Sequence, residues 1–203
     1  MLSFTQVNLH QAAQATSLAG QLLEENKQNI MLLTEPYTCA NKVVGMPRGT
    51  SSVYASLKGP GPPPRAAIIA SLGTKLTAMD NWCNRDCAVG LVKIRGKQTI
   101  IASIYLDINK EVQPPWLDGL MDMASTKGFP MILGIDSNAH STMFGPDGNT
   151  RGNQFEDFIL QYGLRVENTG SIPTFETQRG NKLIQTYIDV TLTRGLHLSL
   201  IHI

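Results

Sequence analysis

Pro130-Met131-Ile132-Leu133-Gly134-Ile135-Asp136-Ser137-Asn138-Ala139-His140 is the stretch that decides the fold. An uncharged, largely apolar run passes without transition into the densest polar cluster of the chain. A run this short reads as a buried strand, and the cluster after it as the point where the strand emerges at a sheet edge. Asp136 and Asn138 are two apart, so in extended chain they can point the same way. A carboxylate beside a carboxamide suits orienting a water and donating to a phosphate oxygen. An Asx turn with a helix cap would use the same residues.

The surrounding sequence supports the strand. Residues 115–127 read as a helix before it, and residues 153–162 as a helix after it, with Phe155, Phe158, Ile159 and Tyr162 on one face. Toward the N-terminus, residues 2–9 alternate with period two and predict a strand. Ala12, Ala15, Leu18, Ala19, Leu22 and Leu23 fall at helical spacing over 11–28. Residues 29–35 predict a buried strand that ends in a carboxylate, Glu35. Pro36 stops it, because proline donates nothing to a ladder. Residues 45–64 read as irregular and end in a Pro/Gly surface excursion, Gly59 to Pro64. Strands are predicted over 65–71, 87–94 and 98–105, with a tight turn at Gly96-Lys97 joining the last two. Residues 186–193 give the last strand. No internal repeat is present. Strands with long helices inserted between them predict a sheet-rich α/β sandwich of mixed strand direction. No G-x-G-x-x-G follows a first strand and no G-x-x-x-x-G-K-[ST] occurs, which argues against a doubly wound nucleotide-binding fold.

The chain has 203 residues, 42% hydrophobic and 16% charged, with a net charge of +1. That length suits one domain, or two at most. The composition excludes a charged disordered chain, and the near-neutral charge argues against a protein that merely coats nucleic acid. It leaves room for an enzyme that grips DNA along one face. The three cysteines, Cys39, Cys83 and Cys87, form neither a Cys-x-x-Cys pair nor a zinc-ligand pattern. Free thiols fit a reducing intracellular compartment, nuclear or cytoplasmic. No signal peptide and no membrane-length apolar run are read, so no membrane partner is expected.

Polar residues recur at strand ends: Asn8, Glu35, Tyr105, Asp136 with Asn138, and Asp189 within the last strand. Buried carboxylates are costly alone. Several at strand ends tend to gather on one rim, where a hard divalent cation neutralises them. Each could instead cap a loop or a helix.

At these residues the sequence resembles the exonuclease–endonuclease–phosphatase superfamily, and within it the endonuclease domain of non-LTR (LINE-type) retrotransposons. The matching pieces run in family order: Gln6-Val7-Asn8, Thr34-Glu35-Pro36-Tyr37, Ser103-Ile104-Tyr105, Gly134 to Ser141, Asn149-Thr150-Arg151-Gly152, Pro173-Thr174-Phe175 and Tyr187 to Thr191. The resemblance implies a four-layered α/β sandwich of two mixed β-sheets flanked by helices. It also implies a metal-dependent endonuclease that nicks double-stranded DNA to prime reverse transcription, with a reverse transcriptase domain expected in the same full-length polyprotein. Glu35, supported by Asn8, would bind Mg²⁺ (or Mn²⁺). Asp136 would orient or deprotonate the attacking water, and Asn138 would hold the phosphate. Tyr105 would donate to a phosphate oxygen, and Asp189 would fix a catalytic histidine. His140 and Thr174 would support the site. Asn149, Arg151, Asn153, Arg179 and Lys182 would contact DNA, with Lys42, Arg48 and Arg65 bordering the same face. Arg151 could equally brace loop carbonyls, and Arg179 and Lys182 could be plain solvated loop.

Two departures stand out. The family closes with a strand and Ser-Asp-His, and no Ser-Asp-His occurs here. His10, His140, His197 and His202 are the four histidines. Residues 1–194 are therefore expected to be a truncated endonuclease domain lacking its C-terminal strand, and residues 195–203 a tail of uncertain origin. After Tyr105 the chain reads Leu106-Asp107-Ile108-Asn109, which leaves a family-type asparagine unplaced. Two other readings follow: an inactive truncated fragment that keeps the fold and DNA contacts, and an abasic-site endonuclease or small phosphoester hydrolase of the same superfamily.

Overall fold

A computed structural model describes residues 2–25, 29–54, 61–168, 173–180 and 182–196. The chain divides into two compact units, Met1–Tyr105 and Leu106–Ile203.

The first unit opens with β1 (Ser3–Asn8), α1 (Ala13–Glu25) and β2 (Asn29–Thr34). β1 and β2 run parallel, with Asn8 opposite Thr34, so both strands end at one rim. Two short strands missing from the sequence reading follow, β3 (Thr38–Cys39) and β4 (Lys42–Val43), and then β5 (Ser51–Val53). All lie where two- and three-residue pairings leave no periodicity to read. β6 (Ala66–Ala70) is buried throughout and pairs antiparallel with β2 and β5, giving the sheet order β1-β2-β6-β5. β7 (Leu76–Ala78), β8 (Cys87–Ile94) and β9 (Lys97–Tyr105) form an antiparallel meander. Its β8–β9 turn is Arg95-Gly96, one residue earlier than expected. Both residues have positive φ, 48° and 83°, the form that matches strand twist in a two-residue hairpin.

Within this unit β2 and β6 pack against β8 and β9. The buried Ser103 hydroxyl donates to the Leu33 carbonyl at 2.8 Å between the layers. The other face of the first sheet is covered by α1. There Leu9, Ala19, Leu23, Met31, Leu33, Ala67 and Ile69 form a core cluster. Full burial of each large aliphatic side chain is worth roughly 1.5–3 kcal/mol.

The second unit contains α2 (Pro115–Lys127), β10 (Met131–Asp136), α3 (Thr150–Gln161), β11 (Arg165–Val166), β12 (Phe175–Arg179), β13 (Lys182–Thr186) and β14 (Asp189–Arg194). Pro115 starts α2, where a missing N–H costs nothing, and Gly128 closes it in the left-handed region. β10 is buried at every residue. β14 pairs antiparallel with both β10 and β11. The single strand expected over 186–193 is two strands, β13 and β14, separated by Tyr187-Ile188. β13 turns back to pair with β12 instead of continuing in the sheet.

Among the described residues, α-helices between strands and a mixed sheet, β1-β2-β6-β5, confirm the α/β expectation. Among the described residues no helix is long and apolar enough to cross a membrane.

Candidate active site

The first unit carries Asn8, Glu35 and Tyr105. Parallel pairing of β1 and β2 brings Asn8 and Glu35 to the same sheet end. Glu35 sits just beyond β2 with φ 47°, in the left-handed region. Its backbone is tied at both ends: its N–H donates to the Arg65 carbonyl (2.8 Å) and its carbonyl accepts from the Gln11 N–H (2.7 Å). Its half-buried carboxylate faces Gln11 Nε2 at 3.4 Å and His10 Nδ1 at 3.9 Å. Asn8 Oδ1 accepts the His10 N–H at 2.9 Å.

Tyr105 ends β9. Its N–H donates to the Asp86 carbonyl at 2.8 Å. Arg65 lies over its ring, 4.3 Å from the centroid. The same guanidinium grips Asp86 through Nε (2.7 Å) and Nη2 (2.8 Å). Arg65 therefore connects Glu35, by its carbonyl, to Tyr105, by its side chain. The sequence reading puts it at the border of a DNA face. The bidentate pair commits that guanidinium internally.

Asp136 and Asp189 belong to the second unit and are directly opposed across the β10–β14 pair. Both are buried. Ser137 donates its N–H to the Ile188 carbonyl at 2.8 Å, so the neighbouring Asp136–Asp189 position is a non-hydrogen-bonded pair. Cα atoms there approach to about 4.5 Å and side chains crowd. Two carboxylates so placed repel unless a proton, a cation or a donor intervenes. Thr174 supports this position: its Oγ1 accepts the N–H of Ile188 (3.2 Å) and of Asp189 (3.3 Å).

Asn138 adopts φ 48° and its Nδ2 donates to the Leu106 carbonyl at 3.1 Å. Arg151 braces the same segment. It donates to the carbonyls of Ser137 (3.3 Å), Leu106 (3.3 Å), Asp107 (3.1 Å) and Lys110 (2.6 Å). Of its two sequence readings, the structure shows the contacts of the loop brace. Asn149 is the N-cap of α3, its Oδ1 accepting from the Gly152 N–H at 2.7 Å. Asn153 is exposed in the first turn. His140 is half-buried and its carbonyl accepts the Asn149 N–H at 3.0 Å. Arg179 and Lys182 belong to the β12–β13 hairpin by their backbone, and their side chains lie outside the described residues, as do His197 and His202. Lys42 and Arg48 are exposed in the first unit.

Sequence reasoning missed Asp86 and Asn168. Asn168 Nδ2 donates to the Asp189 carbonyl (3.0 Å) and its Oδ1 accepts the Thr191 N–H (2.6 Å), so it clamps β14 on either side of Val190. Neither sits in a motif. Asp86 was legible only as the residue before an apolar strand.

The donor chemistry suits a hard cation. Asn8 and Glu35 offer a carboxamide oxygen and a carboxylate. Among the described residues no three of His, Cys, Asp and Glu gather as a closed cage. One or two protein oxygens with water and substrate oxygens completing the shell is the habit of Mg²⁺.

Comparison with known proteins bears on the fold and the family. Residues 99–199 match the family model described as endonuclease–reverse transcriptase. The endonuclease domain of TRAS1, a telomere-specific non-LTR retrotransposon, superposes with a TM-score of 0.78 and 26% identity, over 95% of this chain and 84% of that one. The human Nocturnin catalytic domain with bound sulfate gives 0.52 at 17% identity, over 88% and 74%. D. rerio TDP2 in complex with a single-strand DNA product gives 0.56 at 11% identity, over 95% and 83%. These last two speak to the fold alone. No curated protein matches the sequence. The ordered motifs, the match over 99–199 and the TRAS1 superposition agree, and the chain belongs to the exonuclease–endonuclease–phosphatase superfamily, in its retrotransposon endonuclease branch.

Proposed function

We propose that this protein is a metal-dependent endonuclease domain that hydrolyses a phosphodiester in double-stranded DNA, nicking a target so that the freed 3′-hydroxyl primes reverse transcription by a separate domain of the same polyprotein. The observation that carries the reading is the opposed, buried pair Asp136 and Asp189. Two crowded carboxylates at a strand end are a poor choice for stability and a useful one for moving protons.

Glu35 and Asn8 are the residues that would hold Mg²⁺ or Mn²⁺. Bound there, the cation would supply Lewis-acid polarisation of the phosphate and neutralise charge on the leaving oxygen. The chain's own groups do the rest. Asp136 accepts a proton from the attacking water as it adds to phosphorus. Asn138 and the Tyr105 hydroxyl donate to non-bridging phosphate oxygens, where charge accumulates in the transition state. Arg65 holds Tyr105 in place for that bond. Asp189 would fix the tautomer of a catalytic histidine, and none of His10, His140, His197 and His202 stands in the family's Ser-Asp-His. DNA is gripped from Asn149, Asn153 and the β12–β13 hairpin carrying Arg179 and Lys182. Arg151 and Thr174 keep the loops in register, and His140 braces the Asp136–His140 turn.

The test is nicking of supercoiled plasmid with Mg²⁺. Wild type should convert it to open circle, and Glu35→Ala and Asp136→Ala should lose at least a hundredfold, of the order expected for removing a principal catalytic group. Equal activity in wild type and both variants would refute the site. Duplex binding without nicking by the wild type would favour a non-catalytic role. Preference for abasic DNA or a small phosphate ester over intact duplex would move the substrate within the superfamily.

A further inference from the structure

We infer that the cleft beside Glu35 is a subsite for one nucleotide flanking the scissile phosphate, bound by Tyr37 and Arg85. The assignment deepens the nuclease reading and rests on it. The cleft lies wholly within the first unit and holds about 350 Å³, with Glu35, Tyr37, Pro63, Pro64, Arg65 and Arg85 on its lining. That is toward the lower end of the roughly 300–1,000 Å³ typical of small-molecule sites. It accommodates a nucleotide and is too small for a folded partner.

The chemistry of the lining selects the occupant. Its two arginines are not equivalent. Arg65 spends its guanidinium on Asp86 and Tyr105. Arg85 donates only Nε, to the Pro63 carbonyl at 3.2 Å, and makes no ion pair among the described residues. Its outer N–H groups remain for a planar, bidentate anion contact, the geometry that fits a phosphate. Tyr37 is 41% exposed, a high value for a large aromatic. Its N–H is anchored on the buried Thr16 hydroxyl at 3.0 Å, so the backbone under the ring is fixed. A held, exposed aromatic that shares the cleft lining with prolines offers an apolar face to a base or sugar, which is the way single nucleotides are held without sequence readout. A phosphate donor and a stacking face share a cleft with the carboxylate that would serve the reacting phosphate. A strand passing Glu35 would therefore fill it with the adjacent nucleotide.

Binding of a short labelled duplex, followed by fluorescence anisotropy in EDTA, tests this without requiring cleavage. Arg85→Ala should weaken binding roughly tenfold and reduce the slope of log Kd against log salt by about one, the signature of one lost phosphate contact. Tyr37→Ala should weaken binding roughly fivefold or more with the slope unchanged, as for a lost stacking contact. Arg95→Ala, on the β8–β9 turn, should change neither. Duplexes carrying one neutral methylphosphonate, moved stepwise past the mapped cut, locate the contact. Wild type should lose affinity when the phosphate next to the cut is neutral, and Arg85→Ala should be blind to that same change. Wild-type affinity and slope in Arg85→Ala, or equal sensitivity of Arg85→Ala and wild type to that methylphosphonate, would overturn the inference. A wild type that nicks normally while Arg85→Ala behaves like it refutes the subsite and spares the nuclease reading. A wild type that binds without nicking refutes the nuclease reading, and with it the assignment of this cleft to a scissile strand.

Discussion

The guanidinium of Arg65 stacks on the ring of Tyr105, 4.3 Å from its centroid, while its edge closes a two-bond fork on Asp86. Arg65 and Asp86 are only 11% and 15% exposed in their side chains. Breaking such a pair strands a nearly buried charge. Asp86→Ala is expected to lower stability by about 2–4 kcal/mol, measured by urea unfolding. Arg65→Lys keeps a cation near the ring and loses the fork. It should lower kcat for nicking about tenfold with KM nearly unchanged, the order of a misplaced transition-state donor. A change confined to KM would show that Arg65 binds DNA instead of placing Tyr105.

The opposed Asp136 and Asp189 make the opposite prediction for stability. Asp189→Asn removes one carboxylate from a crowded pair and keeps the shape. It should raise stability by about 0.5–1 kcal/mol, the scale of cross-strand pair energies, while abolishing nicking. Thermal unfolding decides the first part; a lower midpoint would mean that the pair is held together by a donor that Asp189 needs.

Gly152 tests how the Asp136–His140 loop is held. An added Cβ there would lie 1.6 Å from the His140 carbonyl oxygen. Helix propensity alone favours alanine over glycine by about 1 kcal/mol. The clash reverses that sign, and Gly152→Ala is expected to destabilise by about 1–3 kcal/mol, the range for overpacking. A stabilised variant in chemical denaturation would refute the close docking of α3 on this loop.

Tyr162 sets an alkaline limit. Partial burial, together with a 2.7 Å bond to Asp118, pushes its hydroxyl from an ordinary value of 10.0 up to about 12. Below pH 10 folded and unfolded chains both keep the proton, so the contribution is complete. As pH rises from 10 toward 12 the unfolded chain loses it first, and stability falls. Tyr162→Phe should flatten that part of the pH–stability curve. An unchanged slope would show that other groups set it.

Long apolar runs and clear helical spacing were legible in the sequence. β8 and α2 lie where periodicity put them, at Cys87–Ile94 and Pro115–Lys127. α3 starts three residues early, at Thr150, because Asn149 caps it. β11 and β12 went unread because a two-residue strand and a polar, half-exposed hairpin carry little hydrophobic signal. Polar residues at strand ends marked Asn8, Glu35, Tyr105 and Asp136. The register that opposes Asp136 to Asp189 was not readable, since it depends on pairing across distant sequence. Asp86 and Asn168 act through backbone and side-chain bonds that only folding creates.

Glu35 occupies a backbone conformation, φ 47°, that favours glycine and asparagine and costs most other residues about 1–2 kcal/mol. At its own position it is therefore a poor residue for the fold. Selection for folding alone would exchange it. Copies of a mobile element that have stopped moving are released from every demand except, at most, harmless folding. In such copies asparagine or glycine at position 35 is expected to leave a protein that folds at least as well as the original.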